Sequence, residues 1–192
     1  MSAGSGGRVL VAGIGNVFLG DDGFGVEVVR RLRQTTLPGR VDVVDYGIRG
    51  MHLAYDLLDG RHHTLVLVDA VPLAEAAGTL AVLQVDVDDP GWAAPPATVL
   101  DAPGVNGHGM DPQSVLRLLH SLGGRVARVF VVGCQPAVLD EGMQLSAPVR
   151  DALDDAVRTV AGVANREATV LDDADRAGNG APDRRSEETA RA

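Results

Sequence analysis

The chain has 192 residues and a formal net charge of −9, and all 17 of its basic residues are arginine. This length suits a single domain with a well-buried core, whereas the acidic balance and the lack of a basic patch argue against nucleic acid or an anionic membrane as a partner. Cys134 is the single cysteine, which excludes an internal disulfide and a cysteine-rich metal cluster. The residues before Arg8 lack the apolar core of a signal peptide, and no apolar run reaches membrane length. We therefore expect a soluble, cytoplasmic protein.

Strand and helix patterns alternate along the chain. The predicted strands are residues 9–12, 41–44, 64–68, 78–85 and 128–132, and the predicted helices begin at Phe24 and then cover 50–58, 112–122 and 147–164. Residues 9–12 and 64–68 are continuously apolar, which is typical of strands buried on both faces of a parallel sheet. The segment 78–85 follows the third strand too closely for a helical crossover, so we expect a hairpin-like or edge strand and a mixed sheet.

The remaining segments set the expected domain limits. Residues 86–109 are rich in Pro, Gly and Asp without a clear period, and loops of this length are usually functional or mobile. We predict a flexible N-terminus over 1–7, one domain over 8–164 and a disordered tail over 165–192, where seven acids and five arginines outnumber the large apolar residues. The pattern predicts a three-layer α/β/α domain with a mixed, mostly parallel sheet of about five strands and ligand sites at the carboxyl ends of the strands.

A glycine-rich turn, GIGNVFLGDD, lies between the first strand and the first helix. A dinucleotide-binding fingerprint would need glycine where Phe18 stands, and a phosphate loop would need Lys and Ser/Thr in place of Asp21 and Asp22. Two carboxylates at a helix N-terminus oppose the binding of an anion, so the turn favours a cation or a metal. The alternative is that at least one of these aspartates merely caps the helix, where aspartate is a strongly preferred residue.

Three polar residues are predicted to meet at one edge of the sheet. Asp22 follows the first strand, Asp69 follows the third, and His108 lies in the long loop. Two carboxylates and an imidazole are a plausible ligand set for a borderline divalent metal. Each residue also has an ordinary interpretation, as a helix cap, a turn cap and an exposed loop histidine, and it is their convergence on one edge that favours the metal site.

Other candidate residues carry weaker signals. His62 and His63 precede a strand, so they are expected at the opposite edge of the sheet and in contact with solvent. Cys134 is expected to be a small buried residue instead of a nucleophile, because no histidine partner is evident. Residues 17–19 are three large apolar residues in a turn, which either fold into the core or, if exposed, form a contact surface for a protein partner.

Four segments carry a resemblance to a known family: GIGNVFLGDDGFGVEVV, TLVLVDAV, the loop around His108 and VFVVGCQP. In order and spacing they resemble the hydrogenase maturation endopeptidases, from about Arg8 to about Ala164. The resemblance implies a three-layer α/β/α fold of the phosphorylase/hydrolase-like kind, with a mixed, mostly parallel five-stranded sheet. It further implies an aspartyl-type endopeptidase that removes the C-terminal extension from the precursor of a [NiFe]-hydrogenase large subunit after nickel insertion. It also implies that Asp22, Asp69 and His108 contact the nickel, which the active site of the substrate supplies, and act in catalysis.

The implied mechanism uses a carboxylate or the metal to orient and activate water against the scissile carbonyl, since no serine or cysteine nucleophile motif is present. One departure from the family is Ile48 and Arg49, where a small polar residue is expected, and it affects a segment that could contact substrate. Two alternatives are a peptidyl-tRNA-hydrolase-like enzyme, which would need a basic face, and a non-catalytic accessory protein that binds nickel or docks on the precursor. We expect a monomer.

Overall fold

The apolar runs of the sequence become the strands of one sheet in the computed structural model, which describes residues 7–87 and 112–179. The strands are β1 Arg8–Ile14, β2 Val41–Gly47, β3 His62–Ala70, β4 Leu80–Val85 and β5 Arg128–Cys134. The helices are α1 Phe24–Leu32, α2 Gly50–Leu57, α3 Pro112–Ser121, α4 Ala147–Asp151 and α5 Leu153–Asn179, and a 3₁₀ helix, Gly20–Gly23, precedes α1. Within these two stretches, no helix combines the length and hydropathy that a membrane span requires.

The sheet is mixed, and its strand order is β2-β1-β3-β5-β4. β1 pairs in parallel with β2 and β3, and β3 pairs in parallel with β5. Because β1 and β3 are central neighbours, their carboxyl ends lie side by side at one edge of the sheet. The predicted fold class, a three-layer domain with a mixed five-stranded sheet, is confirmed.

Helices cover both faces of the sheet, which explains why its central strands are continuously apolar. Alternate residues of β1 and β3, such as Val11 and Val66, pack against α1 and α5 in one core. The intervening residues, such as Leu10 and Leu65, pack against α2 and α3 in a second core. Both cores therefore depend on the period-two alternation of side chains along a strand.

β4 is an edge strand, as predicted, but it does not form a hairpin with β3. It pairs antiparallel with β5, which comes much later in the chain, and Leu80 lies opposite Cys134. Two of its apolar side chains, Val82 and Leu83, stay exposed. The antiparallel direction makes the sheet mixed, and a pairing between segments so far apart could not be inferred from the short connection after β3.

The last helix continues to Asn179, so the prediction of a disordered tail beginning at residue 165 is wrong for residues 165–179. Ala164, Ala168 and Leu171 recur at helical spacing and are buried against the sheet. Arg40 forms ion pairs with two aspartates of this segment, Asp172 and Asp175, each at 2.8 Å. The abundance of charge in the sequence concealed a narrow apolar stripe, which is sufficient for docking a helix on an existing core.

Leu171 offers a test of this docking, because its side chain is only 6% exposed whereas that of its neighbour Val170 is 46% exposed. Leu171→Ala is expected to lower the free energy of unfolding by about 2–3 kcal/mol, since it leaves a cavity against the core. Val170→Ala, the matched control, should change it by no more than about 0.5 kcal/mol. Urea denaturation followed by circular dichroism measures both, and equal effects would contradict the docked helix.

His62 is buried, so the prediction that it is in contact with solvent is wrong; His63, beside it, is exposed. β3 begins two residues earlier than predicted, which places His62 in the sheet opposite Arg8. His62 Nε2 lies 3.0 Å from Asp42 Oδ2, and Arg8 binds the same carboxylate through Nε at 2.6 Å and Nη2 at 2.7 Å. This network ties β1, β2 and β3 together at the amino ends of the strands.

Candidate active site

The glycine-rich turn after β1 brings the first helix unusually close to the sheet. A Cβ atom at Gly25 would overlap the carbonyl oxygens of Val68 and Ile14, so only glycine allows α1 to pack directly on β1 and β3. Gly15 has φ +124°, and a Cβ atom there would overlap the carbonyl oxygen of Asp22. These glycines therefore hold the 3₁₀ helix against the carboxyl end of β1.

Gly25→Ala is expected to destabilise the protein by about 3 kcal/mol or more, because the atoms that it overlaps belong to backbone and cannot rotate away. Gly162 lies within α5, where the nearest group to an added Cβ is the flexible Arg166 side chain at 3.5 Å. Gly162→Ala should instead stabilise the protein by roughly 0.5–1 kcal/mol through helix propensity. Thermal unfolding of the two variants measures both changes in stability. A Gly25→Ala variant as stable as the wild type would contradict the close packing.

Asp22 presents a half-buried carboxylate at this turn. The backbone N–H of Asn16 donates a hydrogen bond to Asp22 Oδ2 at 2.5 Å, while Oδ1 has no hydrogen-bond partner among the residues described. Burial raises the pKa of Asp22, and the hydrogen bond from Asn16 opposes the rise only in part. The hydrogen bond to Oδ2 thus fixes the orientation of the Asp22 carboxylate, while Oδ1 stays open. This is the arrangement expected of a group that contacts a ligand.

Asp21 has the opposite role, since it is fully buried and accepts four hydrogen bonds. They come from the backbone N–H groups of Ala137, Val138 and Ser146, at 2.8, 2.9 and 2.6 Å, and from the Ser146 hydroxyl at 2.8 Å. Burial alone would raise the pKa of Asp21, but the hydrogen bonds from Ser146, Val138 and Ala137 outweigh it and lower the pKa. Asp21 anchors the loop after β5 to the glycine-rich turn.

Neither aspartate caps a helix, so the prediction of a capping role is wrong. The 3₁₀ helix and α1 both begin without a side-chain cap, at Leu19 and Gly23 respectively. Asp21 reaches instead across more than a hundred residues of sequence to the loop after β5, a contact that local sequence patterns cannot indicate.

Asp69 lies at the carboxyl end of β3, where the sequence predicted it. It is the second-last residue of that strand, 7% exposed, and lies opposite Gly133 of β5. The 3₁₀ helix that carries Asp22 packs on β3, so the two aspartates share one edge of the sheet. His108 lies outside the described residues. Among those that are described, no group of three metal-binding side chains occurs, and the ligand set Asp22, Asp69 and His108 stays a prediction.

The apolar residues of the turn do not all fold into the core, because Phe18 is 61% exposed. The loop after β5 presents three further exposed apolar side chains, Val138, Leu139 and Met143. The two segments are joined by backbone hydrogen bonds, including Gly142 N–H to the Phe18 carbonyl at 2.9 Å. Phe18, Val138, Leu139 and Met143 are called the apolar lip below.

Cys134 is fully buried at the end of β5, which confirms the prediction of a small buried residue. Burial, with a smaller contribution from the negative charge of Asp21, raises the pKa of the thiol to about 11. The thiolate is therefore scarce at neutral pH, and the thiol is a poor nucleophile.

Asn16 is a residue of the candidate site that reasoning from the sequence did not single out. Its N–H orients Asp22, and its side-chain oxygen accepts a hydrogen bond from the Phe18 N–H at 3.0 Å. Asparagine often forms such local turns, so the motif G-x-G-N contained a usable signal. The asparagine shapes the turn and aims the carboxylate at the same time.

Comparisons with known proteins relate this chain and its fold to one family. The profile of the hydrogenase maturation protease family, HycI, matches residues 26–163. The chain is 31% identical over 155 residues to the hydrogenase 2 maturation protease of Escherichia coli K12, covering 80% of this chain and 88% of that protein. The structure of the maturating endopeptidase HybD from E. coli superposes with a TM-score of 0.64 at 26% identity, covering 84% of this chain and 93% of that one. A hydrogenase 2 maturation peptidase from a thaumarchaeote superposes with a TM-score of 0.59 at 34% identity, covering 85% and 99%.

Proposed function

The chain belongs to the hydrogenase maturation protease family, and from that premise we propose that this endopeptidase removes the C-terminal extension from the precursor of a [NiFe]-hydrogenase large subunit after nickel insertion. The observation that carries the proposal is the Asp22 carboxylate, aimed by Asn16 and offering Oδ1 at the sheet edge that it shares with Asp69. Membership of this family also argues against the alternative of a peptidyl-tRNA-hydrolase-like enzyme.

Nickel enters this proposal as part of the substrate. Carboxylate oxygens and an imidazole nitrogen are suitable ligands for a borderline divalent metal, and Asp22, Asp69 and His108 would supply them. Contact with nickel in the precursor would admit a substrate only when the metal has been inserted. Recognition would then come before cleavage, because the metal fixes the position of the scissile bond relative to the two carboxylates.

The chemistry that the chain itself can supply is that of carboxylates. One of the aspartates would accept a proton from the attacking water as the water oxygen bonds to the scissile carbonyl carbon. The same proton would then pass to the leaving amide nitrogen as the C–N bond breaks, so that atoms and charge balance. The raised pKa of Asp22 supports this role, since a carboxylate with a raised pKa is a better base for the first step and stays protonated more readily until the second.

Incubation of the purified protein with nickel-loaded large-subunit precursor, followed by intact-mass spectrometry, tests the proposal. We expect two products whose masses sum to that of the precursor plus one water. Precursor without nickel, the matched control, should remain intact. A stable complex with the precursor at unchanged mass would support the accessory-protein alternative, and neither cleavage nor binding would contradict both.

A further inference from the structure

A groove lies between the start of α1 and the segment that leads from the loop after β5 into α5. Its volume is about 520 Å³. Val17, Leu145 and Leu153 supply apolar surface, and Arg30 and Arg150 stand at its margin with exposed side chains. We call it the arginine groove. It is lined by the same turn that carries Asp22, because Gly20 and Gly23, the first and last residues of the 3₁₀ helix, also line it.

The groove is positively charged although the molecule is acidic. Three arginines line it, against one acidic residue, Glu27. Arg31 is held by Glu27 at 3.2 Å and by Asp154 at 3.0 Å, and Arg30 lies 3.6 Å from Glu27. Arg150 is exposed and forms no ion pair or side-chain hydrogen bond with any other described residue, so its guanidinium group is accessible to a partner. A concentration of positive charge in a chain of net charge −9 favours an anionic ligand.

The walls of the groove are tied together by the contacts of Asp21. That carboxylate holds Ser146, next to Leu145, while the N–H of Gly20 donates to the carbonyl of Gly142 at 2.8 Å. The wall from the turn and the wall from the loop are therefore connected before any ligand binds. A preformed site loses less entropy when it binds a flexible segment.

The shape and lining favour a peptide over a small inorganic anion. Apolar side chains cover much of the surface, and the exposed Met143 joins the groove to the apolar lip. A phosphate or a free carboxylate would leave this apolar surface wet, whereas a peptide segment with alternating acidic and apolar residues would cover it and pair with the arginines.

We propose that the arginine groove binds an acidic segment of the precursor's C-terminal extension, with side-chain carboxylates paired to Arg150 and Arg30. This rests on the proposed function, since it places the extension on the same turn that carries Asp22. Binding of the extension here holds the scissile bond near the sheet edge of Asp22 and Asp69. The groove thus supplies selectivity for the extension, and the aspartates supply contact with the metal.

The test compares cleavage of nickel-loaded precursor by the wild type, Arg30→Glu/Arg150→Glu, and the control Arg166→Glu, which reverses the charge of an exposed arginine on α5. We expect the double variant to raise KM roughly tenfold or more with little change in kcat, because opposed charges weaken binding and leave the chemistry intact. Arg166→Glu should keep the wild-type KM. Added salt should raise the KM of the wild type more than that of the double variant.

Two further precursor variants test which part of the extension binds in the groove. Replacing the acidic residues of the extension by lysine should restore a low KM to the double variant. Lengthening the extension by Gly-Ser-Gly, which moves its terminal carboxylate, should leave the wild-type KM unchanged; a rise would overturn the side-chain assignment. Arg150→Gln removes the charge without reversing it, and thermal unfolding of each variant shows whether a change in KM comes from the lost charge or from a destabilised fold.

The possible outcomes distinguish this inference from the proposed function. Cleavage by the wild type with an unchanged KM in the double variant would overturn the groove assignment and leave the protease intact. Failure of the wild type to cleave or bind the precursor would overturn both.

Discussion

Asp22→Asn is expected to lower the rate of precursor cleavage by roughly a hundredfold or more. Asparagine is nearly the same size and its side-chain oxygen can still accept the hydrogen bond from Asn16, but it carries no negative charge for a metal and cannot accept a proton. Initial rates with nickel-loaded precursor, measured from the intact masses of the products, give the size of the effect. Asp22→Glu, which keeps the charge, should retain much more activity.

The same substitution should not destabilise the fold. Burial raises the pKa of Asp22, so the folded chain binds its proton more tightly than the unfolded chain does. Stability contributed by this group is therefore present below the unfolded pKa and declines as the pH rises through the window up to the raised folded pKa. At pH 7 the charge is a cost to folding, and Asp22→Asn should leave the free energy of unfolding unchanged or slightly higher.

A matched control for Asp22→Asn is Asp173→Asn, because Asp173 is exposed on α5 and pairs only with Arg176 among its described contacts. Its cleavage rate should equal that of the wild type. Wild-type activity in Asp22→Asn, or an equal loss in both variants, would remove Asp22 from the proposed site.

Asp21→Ala is expected to lower the free energy of unfolding by about 3 kcal/mol or more. The substitution removes a fully buried acceptor and leaves the N–H groups of Ala137, Val138 and Ser146 without their partner. Urea denaturation at pH 7 measures the loss. Asp21→Asn, which keeps one acceptor oxygen, should lose less, and a loss below about 1 kcal/mol for Asp21→Ala would contradict the anchoring role.

The pH dependence of Asp21 has the opposite sign to that of Asp22. Its pKa is lowered in the folded state, so its stabilising effect is fully present above the unfolded value near pH 4 and is lost as the pH falls through the lower folded pKa. The difference in stability between the wild type and Asp21→Ala should therefore shrink below pH 4. A difference that stays constant down to pH 2 would mean that the charge of Asp21 is not what stabilises the loop.

These neighbouring aspartates show how one turn combines stability and function. The Asp21 side chain is surrounded by donors and lies in the interior, whereas the Asp22 side chain has one donor and one open oxygen. Asp21 holds the backbone of the turn in position, whereas Asp22 is the residue that we propose to contact the substrate. Removal of either is expected to affect cleavage, but only the loss of Asp21 should do so by loosening the fold.

Much of the fold could be predicted because it follows local patterns. The continuous apolar runs of β1 and β3, the helical spacing from Phe24 to Leu32 and the glycines of the turn each depend on residues close together in sequence. The edge position of β4 also followed, since its distance from β3 is too short for a helical crossover. The extent of α5 did not, because the stripe through Ala168 and Leu171 is narrow and lies among charged residues.

In the candidate site, the placement of Asp22 after β1 and of Asp69 at the carboxyl end of β3 could be predicted, because parallel strands place their carboxyl ends at one edge. Local sequence could not indicate which of the two adjacent aspartates is buried and which keeps an open oxygen, since the donors to Asp21 come from Ala137, Val138 and Ser146, far along the chain. The arginine groove also could not be predicted locally, because its lining comes from segments far apart in sequence. A carboxylate or a guanidinium acquires its role from the partners that surround it, and those partners are brought together by folding.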